Sequence, residues 1–276
     1  MKRKTMKTSA KKALCLSVAV SMAFSGMPET KFFNFNPAIV KAADTTDTID
    51  SNATVLQIDS KDKSRPGIPD GTLLNELKRL VNTSLGRDVS ADIKYGELMA
   101  YTGEIDLSSI GNKITSIAGL GYARKASKIV LTNVPVKAIE DYEFDGCTGL
   151  KEIVLPEGLE TVGKCAFRNC NQLTDIKLPS TVTTIGEAAF DTCTSLPKME
   201  IPTGVNTISK NAFSGCTALE EMTIPNANVA LGASVFEGCQ NLKTVHLPEG
   251  ITEIPASFFA TSGITSIEVP TTVKKI

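Results

Sequence analysis

The chain has 276 residues, with 29 basic and 30 acidic side chains, no Trp and a single His. This length fits one large domain or two small ones, and the composition is that of an ordinary folded protein. The single His excludes His-rich metal sites and disfavours His-based nucleophilic catalysis, although carboxylate chemistry stays open.

The amino terminus is typical of a secretory signal peptide. Six basic residues precede an apolar stretch from Ala13 to about Phe24, which is shorter than the roughly 20 apolar residues that span a bilayer. Small or apolar residues occupy the positions that a signal peptidase reads in Val40-Lys41-Ala42. We therefore predict a signal peptide over residues 1–42, with a cut near Ser25 as the alternative, and a secreted or cell-surface protein.

Removal of residues 1–42 makes the remaining chain acidic. That segment carries eight basic residues and one acidic residue, which leaves 21 and 29 and a formal charge of about −8. Such a charge disfavours nucleic acids and anionic membrane surfaces as partners. No later apolar run is long enough for a membrane span.

Residues 43–66 offer little apolar surface and are predicted to be a disordered polar linker. Order is expected to begin near Ile68. Asp70 is predicted to cap a helix because apolar residues follow it at spacings of three and four, namely Leu73, Leu74, Leu77, Leu80 and Val81.

A second short helix is predicted from about Lys94 to Tyr101. Together the two helices over residues 67–102 are expected to form an amino-terminal cap, because the first coil of a solenoid has an open end that must be covered.

A 23-residue repeat organises the carboxy-terminal half of the chain. Three independent columns keep this interval: Leu150, Leu173, Leu196, Leu219 and Leu242; Phe144, Phe167, Phe190, Phe213, Phe236 and Phe259; and Pro156, Pro179, Pro202, Pro225 and Pro248. Each unit reads Leu-x-x-Ile-x-Leu-Pro and ends in Ala-Phe-x-x-Cys. This pattern predicts a leucine-rich-repeat solenoid.

One unit shows how a coil would fold. Leu150, Ile153 and Leu155 are expected to point inward from a short strand that pairs with neighbouring coils about 4.8 Å away. Pro156 would end that strand, and Leu159 with Val162 would add a second inward pair. A helical turn is expected to bury the Phe. The predicted fold class is an α/β repeat solenoid with one parallel strand ladder, a second minor strand per coil and a helical cap.

The solenoid is predicted over residues 103–276. Two looser coils precede Leu150, and eight coils are counted from about Gly103. The last coil starts at Ile264 and lacks its Ala-Phe-x-x-Cys segment, so we expect the chain to be a fragment or a truncated product.

Seven cysteines are present, of which Cys15 lies in the predicted signal peptide. Five others form one column at the repeat interval: Cys147, Cys170, Cys193, Cys216 and Cys239. Disulfides and metal binding are possible roles for them, but zinc sites use paired ligands two to four residues apart, which do not occur here. We predict a ladder of buried thiols that point at loop backbone groups. Cys165 is expected to be partly exposed and is the one thiol to test for reactivity.

The outward positions of the strands vary from coil to coil, and these columns are the candidate partner-binding face. The residues singled out are Lys177, Glu200, Thr223 and His246. No catalytic, cofactor-binding or metal-ligating set can be assembled, so no enzyme activity and no cofactor are predicted.

The repeat Leu173-Thr174-Asp175-Ile176-Lys177-Leu178-Pro179, continued by Ile185-Gly186-Glu187-Ala188-Ala189-Phe190-Asp191-Thr192-Cys193, closely resembles the BspA-type leucine-rich repeat of bacterial surface proteins. The resemblance covers residues 130–276, and Asn226-Ala227-Asn228-Val229 departs from it. The stretch from Ile68 through Leu120 is similar to the cap and first coils of internalin-like repeats.

The resemblance implies an exported or surface-displayed protein that binds a host or neighbouring-cell protein, in the matrix or on a cell surface, or a glycan, without catalysis. The alternative is a spacer or targeting arm for an enzyme or anchor domain beyond residue 276.

Overall fold

A computed structural model of the protein describes residues 52–55 and 67–276. The predicted signal peptide over 1–42 lies outside these residues, as does most of the predicted linker over 43–66. Residues 52–55 belong to that linker yet are ordered, because Thr54 forms an antiparallel bridge with Lys94 and Val55 is buried. The expectation of disorder therefore does not hold for these four residues.

The cap contains helices α1 (Gly71–Ser84) and α2 (Tyr95–Ala100). As predicted, the Asp70 carboxylate caps α1 by accepting a hydrogen bond from the Leu73 amide at 2.9 Å. Its second oxygen accepts from the Thr115 amide and hydroxyl at 2.7 and 2.8 Å, which fastens the cap to the first coil. Burial raises the pKa of Asp70, but the hydrogen bonds outweigh it and hold the pKa below its usual value.

Eight coils follow the cap, and we number them by their residues: coil 1 (103–126), coil 2 (127–149), coil 3 (150–172), coil 4 (173–195), coil 5 (196–218), coil 6 (219–241), coil 7 (242–263) and coil 8 (264–276). Coil 1 also contains two 3₁₀ helices, Gly111–Lys113 and Leu120–Tyr122. Coils 1 to 7 each contribute one layer of buried side chains to a core that continues into the cap, and coil 8 packs against this core through partly buried Ile264, Ile267 and Val273. This confirms the predicted solenoid.

Two parallel ladders run along the solenoid. The first ladder consists of β1 (Glu104–Asp106), β2 (Lys128–Val130), β4 (Glu152–Val154) and β6 (Asp175–Lys177), followed separately by β9 (Glu221–Thr223) and β11 (Thr244–His246). The second ladder consists of β3 (Ala138–Ile139), β5 (Thr161–Val162), β7 (Thr184–Ile185), β8 (Thr207–Ile208) and β10 (Ala230–Leu231). Identical positions pair across coils, as Ile129 does with Ile153.

The Phe column forms a stack through the middle of the core. From Phe144 to Phe236, successive rings lie 5.3 to 5.8 Å apart between centroids and are nearly parallel. All five rings are fully buried. The burial of these Phe rings stabilises the contact between coils, since each aromatic ring removes a large apolar area from water.

The segment that carries each Phe is a hydrogen-bonded turn and contains no regular helix. Its amides donate to the next coil, as from Phe167 to Ala189 and from Phe190 to Ala212. Two positions per turn have a left-handed backbone with φ between 52° and 74°, in the columns of Tyr142, Cys165, Ala188, Asn211, Ser234 and Ser257 and of Gly146, Asn169, Thr192, Gly215, Gly238 and Thr261. This conformation explains why Gly and Asn recur there.

Proline interrupts the first ladder at coil 5. In coils 3, 4, 6 and 7 the residue after the Leu column donates its amide to the preceding coil, as Thr174 does to the Lys151 carbonyl at 2.9 Å. Pro197 occupies that position in coil 5 and has no amide hydrogen. No strand is formed over 198–200, so the first ladder is interrupted at coil 5.

The second ladder is interrupted between coils 6 and 7 for the same reason, and it resumes as a single parallel bridge between Glu253 of coil 7 and Lys275 of coil 8. The residue after the second inward pair donates to the preceding coil in coils 3 to 6, as Gly232 does to the Ile208 carbonyl at 2.8 Å. Pro255 holds this position in coil 7. Within the described residues, no backbone hydrogen bond joins 226–232 to 249–255. Each ladder is therefore broken where a Pro replaces a donor.

No helix among residues 52–55 and 67–276 has the length and apolar character needed to cross a membrane.

Candidate binding surface

The outward side chains of the first ladder form one continuous surface, which we call the strand face. Each strand buries its central residue and directs the two flanking residues to solvent, as in β6, where Ile176 is buried between Asp175 and Lys177. This alternation follows from the period of two in an extended chain. The fold thus places two outward residues per coil at the repeat spacing.

All four predicted binding residues lie on the strand face and are exposed. Thr223 of β9 and His246 of β11 are direct partners in the strand register, so their side chains are neighbours. Lys177 ends β6 and pairs with Val154. Glu200 continues the column in coil 5, where no strand pairing joins it to Lys177 or Thr223. The interruption of the first ladder therefore lies between members of the predicted binding set.

Opposite charges alternate along the strand face. The Lys128 amine lies 2.9 Å from the Glu152 carboxylate and 4.0 Å from that of Glu104. Farther along, the His246 imidazole lies 3.3 Å from the Glu221 carboxylate. Exposed pairs of this kind add little to stability, because solvent screens them. Their charges remain available to a partner.

The break at Pro197 also changes the backbone on this face. In the described part of the chain, no amide donates to the Thr174 carbonyl, which in a regular coil accepts from the coil that follows. An exposed carbonyl can accept from water or from a partner. The Thr174 carbonyl therefore lies at the seam between coils 4 and 5, the two coils that carry Lys177 and Glu200.

The five-membered Cys column is a ladder of free, buried thiols, as predicted. Each thiol donates to a carbonyl of the preceding coil at 3.0 to 3.4 Å, the acceptors being Gly121, Phe144, Phe167, Phe190 and Phe213. Burial raises the pKa of every one, to about 12 for Cys147 and Cys239. High pKa values make these thiols poor nucleophiles at neutral pH.

The expectation that Cys165 is partly exposed is wrong. Its exposed fraction is 3%, and burial raises the pKa of its thiol to about 11. The residues that occupy its column in other coils suggested exposure, but the turn buries this position, as it also buries Ala188 and Ser234. Cys165 is therefore not a reactive thiol.

Among the described residues, no three His, Cys, Asp or Glu side chains converge where they could hold a metal ion. A polar recess of about 450 Å³ opens between coils 6 and 7, lined by residues that include Asn228, Leu231, Thr252 and Glu253. The apolar periodicity of the repeat does not reveal this recess. Its signal was Pro255, which interrupts a column of Gly and Ser.

Comparison with known proteins agrees with this geometry. The BspA type leucine-rich repeat region is recognised in six copies, over residues 120–227 and 160–276. The chain belongs to the BspA-type leucine-rich-repeat family. Among curated proteins, no sequence matches significantly.

Solved structures also resemble the BspA-type solenoid. A T. pallidum leucine-rich repeat protein has 27% identity and a TM-score of 0.53, over 56% of this chain and 75% of that one. Leucine-rich repeat proteins from Bacteroides ovatus (23%, TM-score 0.46) and Eubacterium ventriosum (26%, 0.47) match over 61% and 55% of this chain. This chain spans 48% and 41% of those two proteins. The likeness of the cap to internalins stays a prediction.

Proposed function

We propose that this BspA-type solenoid is exported and displayed outside the cell, where its strand face binds another protein without catalysis. The family is one of bacterial surface-type proteins, and membership in it is consistent with a role as a scaffold for protein interactions. A glycan partner is the second possibility for the same face.

The observation that carries the proposal is a contrast between two columns one residue apart. The inward column contains only Ile, Met and Val, in Ile153, Ile176, Met199, Met222 and Val245. The outward column changes its chemistry at each step, in Val154, Lys177, Glu200, Thr223 and His246. Packing explains the first column but places no demand on the second, which is free to be specific for a partner.

Lys177, Glu200 and His246 are the residues that we expect to contribute most. All three are exposed and polar, and Lys177 and Glu200 belong to coils 4 and 5, between which the first ladder is broken. A partner that presents complementary charges and hydrogen-bond donors would be oriented by this group.

The test exchanges charges without altering the total. In the full chain, Lys177→Glu is combined with Glu200→Lys and His246→Ala, and partners are captured from extracellular-matrix and cell-surface extracts. The control exchanges Lys164→Glu and Glu187→Lys, a pair 3.3 Å apart on the turn side of coils 3 and 4.

We expect the wild-type and control chains to retain the same partner and the strand-face variant to lose at least tenfold in its affinity. Circular dichroism should show equal melting temperatures, because none of the exchanged residues is in the core. Undiminished binding by the strand-face variant would assign the partner to another surface.

A further inference from the structure

The seam between coils 6 and 7 is closed on both sides and open in the middle. On one side β9 pairs with β11. On the other, the amides of Ser234 and Phe236 donate to coil 7 carbonyls at 3.1 and 2.9 Å. Between these closures lies the recess of about 450 Å³, where coil 7 does not pair with β10.

Pro255 explains the opening in two ways. It cannot donate the hydrogen bond that the Leu231 carbonyl would receive in a regular coil. It is also bulky in a column that is packed tightly: a Cβ on Gly186 would lie 2.6 Å from the Gly163 carbonyl carbon, and one on Gly232 would lie 2.2 Å from the Lys210 nitrogen. A proline ring is larger than the Gly and Ser side chains that hold this column in coils 3 to 6, so it disfavours a close approach of coil 7 to coil 6.

Coil 6 widens the gap from its own side. The two inward residues of the second ladder are three positions apart in coils 3 to 5 but two apart in coil 6, at Val229 and Leu231. The extra residue lies in the preceding loop, where the Asn226 side chain accepts from the Asn228 amide at 2.9 Å and donates to the Val205 carbonyl at 2.9 Å. The segment Asn226-Ala227-Asn228-Val229, which departs from the repeat pattern, therefore forms a hydrogen-bonded loop that borders the recess.

The recess exposes backbone groups of an extended strand. In the described residues, nothing donates to the Val229 and Leu231 carbonyls, which are the acceptors that a following coil uses elsewhere in the second ladder. Such an edge is a template for another extended chain. In coils 2 to 5 the same edge is covered by the strand of the next coil, which shows what kind of occupant it fits.

We propose that the recess binds a short extended segment of a partner polypeptide, which pairs in parallel with the free edge of β10. Two amides of that segment donate to the Val229 and Leu231 carbonyls, as Ala230 and Gly232 donate to coil 5. The polar side chains of Asn228, Thr252 and Glu253 face the same space, and Glu253 is held by Lys275 at 2.7 Å. This site is separate from the strand face and does not depend on its function.

The probe is a peptide taken from the chain itself. Residues 182–187 include β7 of coil 4, which covers the equivalent edge of β5 in coil 3, so the acetylated and amidated peptide Val-Thr-Thr-Ile-Gly-Glu supplies the required amides. It is titrated into the isotope-labelled full chain while amide shifts are recorded. The control peptide carries an N-methylated Gly, which retains every side chain and removes one donor.

We expect shifts centred on Leu231, Thr252 and Glu253, and an affinity at least about fivefold weaker for the N-methylated peptide, which lacks one hydrogen bond. Pro255→Gly should restore the missing donor, close the recess and abolish binding while raising the melting temperature. Pro197→Gly, which restores an amide in the first ladder, should leave peptide binding unchanged.

Three results would overturn the proposal: equal affinities of the two peptides, peptide binding that survives in Pro255→Gly, or no shift at the recess amides. N-acetylglucosamine is titrated in parallel. If this sugar shifts the recess amides and the peptide does not, the recess is a saccharide site and the peptide proposal is wrong.

Discussion

Coils 3 and 4 are built from the same repeat as coils 5 to 7, yet coils 3 and 4 are joined to each other by both ladders, whereas each seam from coil 4 to coil 7 lacks one of them. Between coils 3 and 4 both ladders and the turn contacts are present. Coil 5 lacks its strand in the first ladder, and coil 7 lacks its strand in the second. One proline accounts for each loss.

The difference teaches that apolar stacking and backbone pairing are separable in this solenoid. The Phe stack passes coil 5 without interruption, at 5.4 Å from Phe190 to Phe213. Core side chains thus hold the coils together where the ladders are open, and each break stays local because a coil contacts only its neighbours. The open positions are where polar backbone becomes available for binding.

Removing a ring from the stack should have the largest effect. Phe190→Ala deletes a fully buried ring between two others and should lower the free energy of unfolding by about 3–5 kcal/mol. Phe259→Ala, at the partly buried end of the stack, should lower it by roughly 1–2 kcal/mol. Urea titration followed by circular dichroism measures both, since the chain has no Trp. Equal losses would mean that stacking is not what joins the coils.

A proline introduced into coil 4, where the first ladder is intact, should have the next largest effect on stability. Thr174→Pro removes the donor to the Lys151 carbonyl and copies the coil 5 arrangement in coil 4, at an expected loss of about 2 kcal/mol. Hydrogen exchange should become faster at the amides of β6. Thr174→Ala is the control, because it removes the hydroxyl contact to Lys151 at 3.2 Å and retains the amide. Unchanged exchange in the Pro variant would contradict our account of the break.

Coil 2 is expected to make a pH-dependent contribution to stability that the following coils do not make. Glu143 stands in a column that elsewhere holds Ala166, Ala189 and Ala212. Burial raises the pKa of Glu143 to about 7, although it accepts hydrogen bonds from backbone amides such as that of Gly121.

Because the pKa of Glu143 is raised in the folded state, the protonated side chain contributes to the free energy of unfolding. This contribution is fully present below about pH 4.5 and is lost as pH rises through 7. Glu143→Gln should therefore be more stable than wild type by about 1–3 kcal/mol at pH 8, with the gain vanishing near pH 4. Parallel melting curves from pH 4 to 8 provide the measurement. A constant offset would show that Glu143 does not titrate in this range.

Replacing Pro197, which interrupts the first ladder, should have the smallest effect on stability. Pro197→Thr restores one ladder amide, worth about 1 kcal/mol, but also frees the unfolded chain, so a net gain of about 0.5 kcal/mol is expected. Pro202→Thr, at a position that ends the strand, should not stabilise the protein. A strand over 198–200, seen as slower hydrogen exchange, would confirm the repair.

Much of the fold could be predicted from the sequence because the inward residues repeat. The Leu and Phe columns from Leu150 to Leu242 are fully buried, and the Asp70 cap lies where it was expected. Repetition identifies which side chains share an environment, so the core and the strand face follow from it. Whether a partner uses Lys177, Glu200, Thr223 and His246 stays a prediction.

The remaining features depend on backbone conformation, which apolar periodicity does not report. The left-handed turn buries Cys165 although its column is polar elsewhere. The ladder breaks occur where an amide is missing, at Pro197 and Pro255, and neither residue disturbs the Leu and Phe columns of the repeat. Reading each column for its hydrogen-bond donors, as well as for its hydrophobicity, would have located both breaks and the recess.

The ladder of free thiols makes the covalent structure of coils 2 to 6 independent of oxidation. No disulfide joins Cys147, Cys165, Cys170, Cys193, Cys216 or Cys239, so these coils need neither an oxidising compartment nor an isomerase to reach their native bonds. The same thiols are reporters that the protein carries already. Each is shielded in the closed fold, so the rate at which an alkylating reagent reaches it records how often its own coil opens.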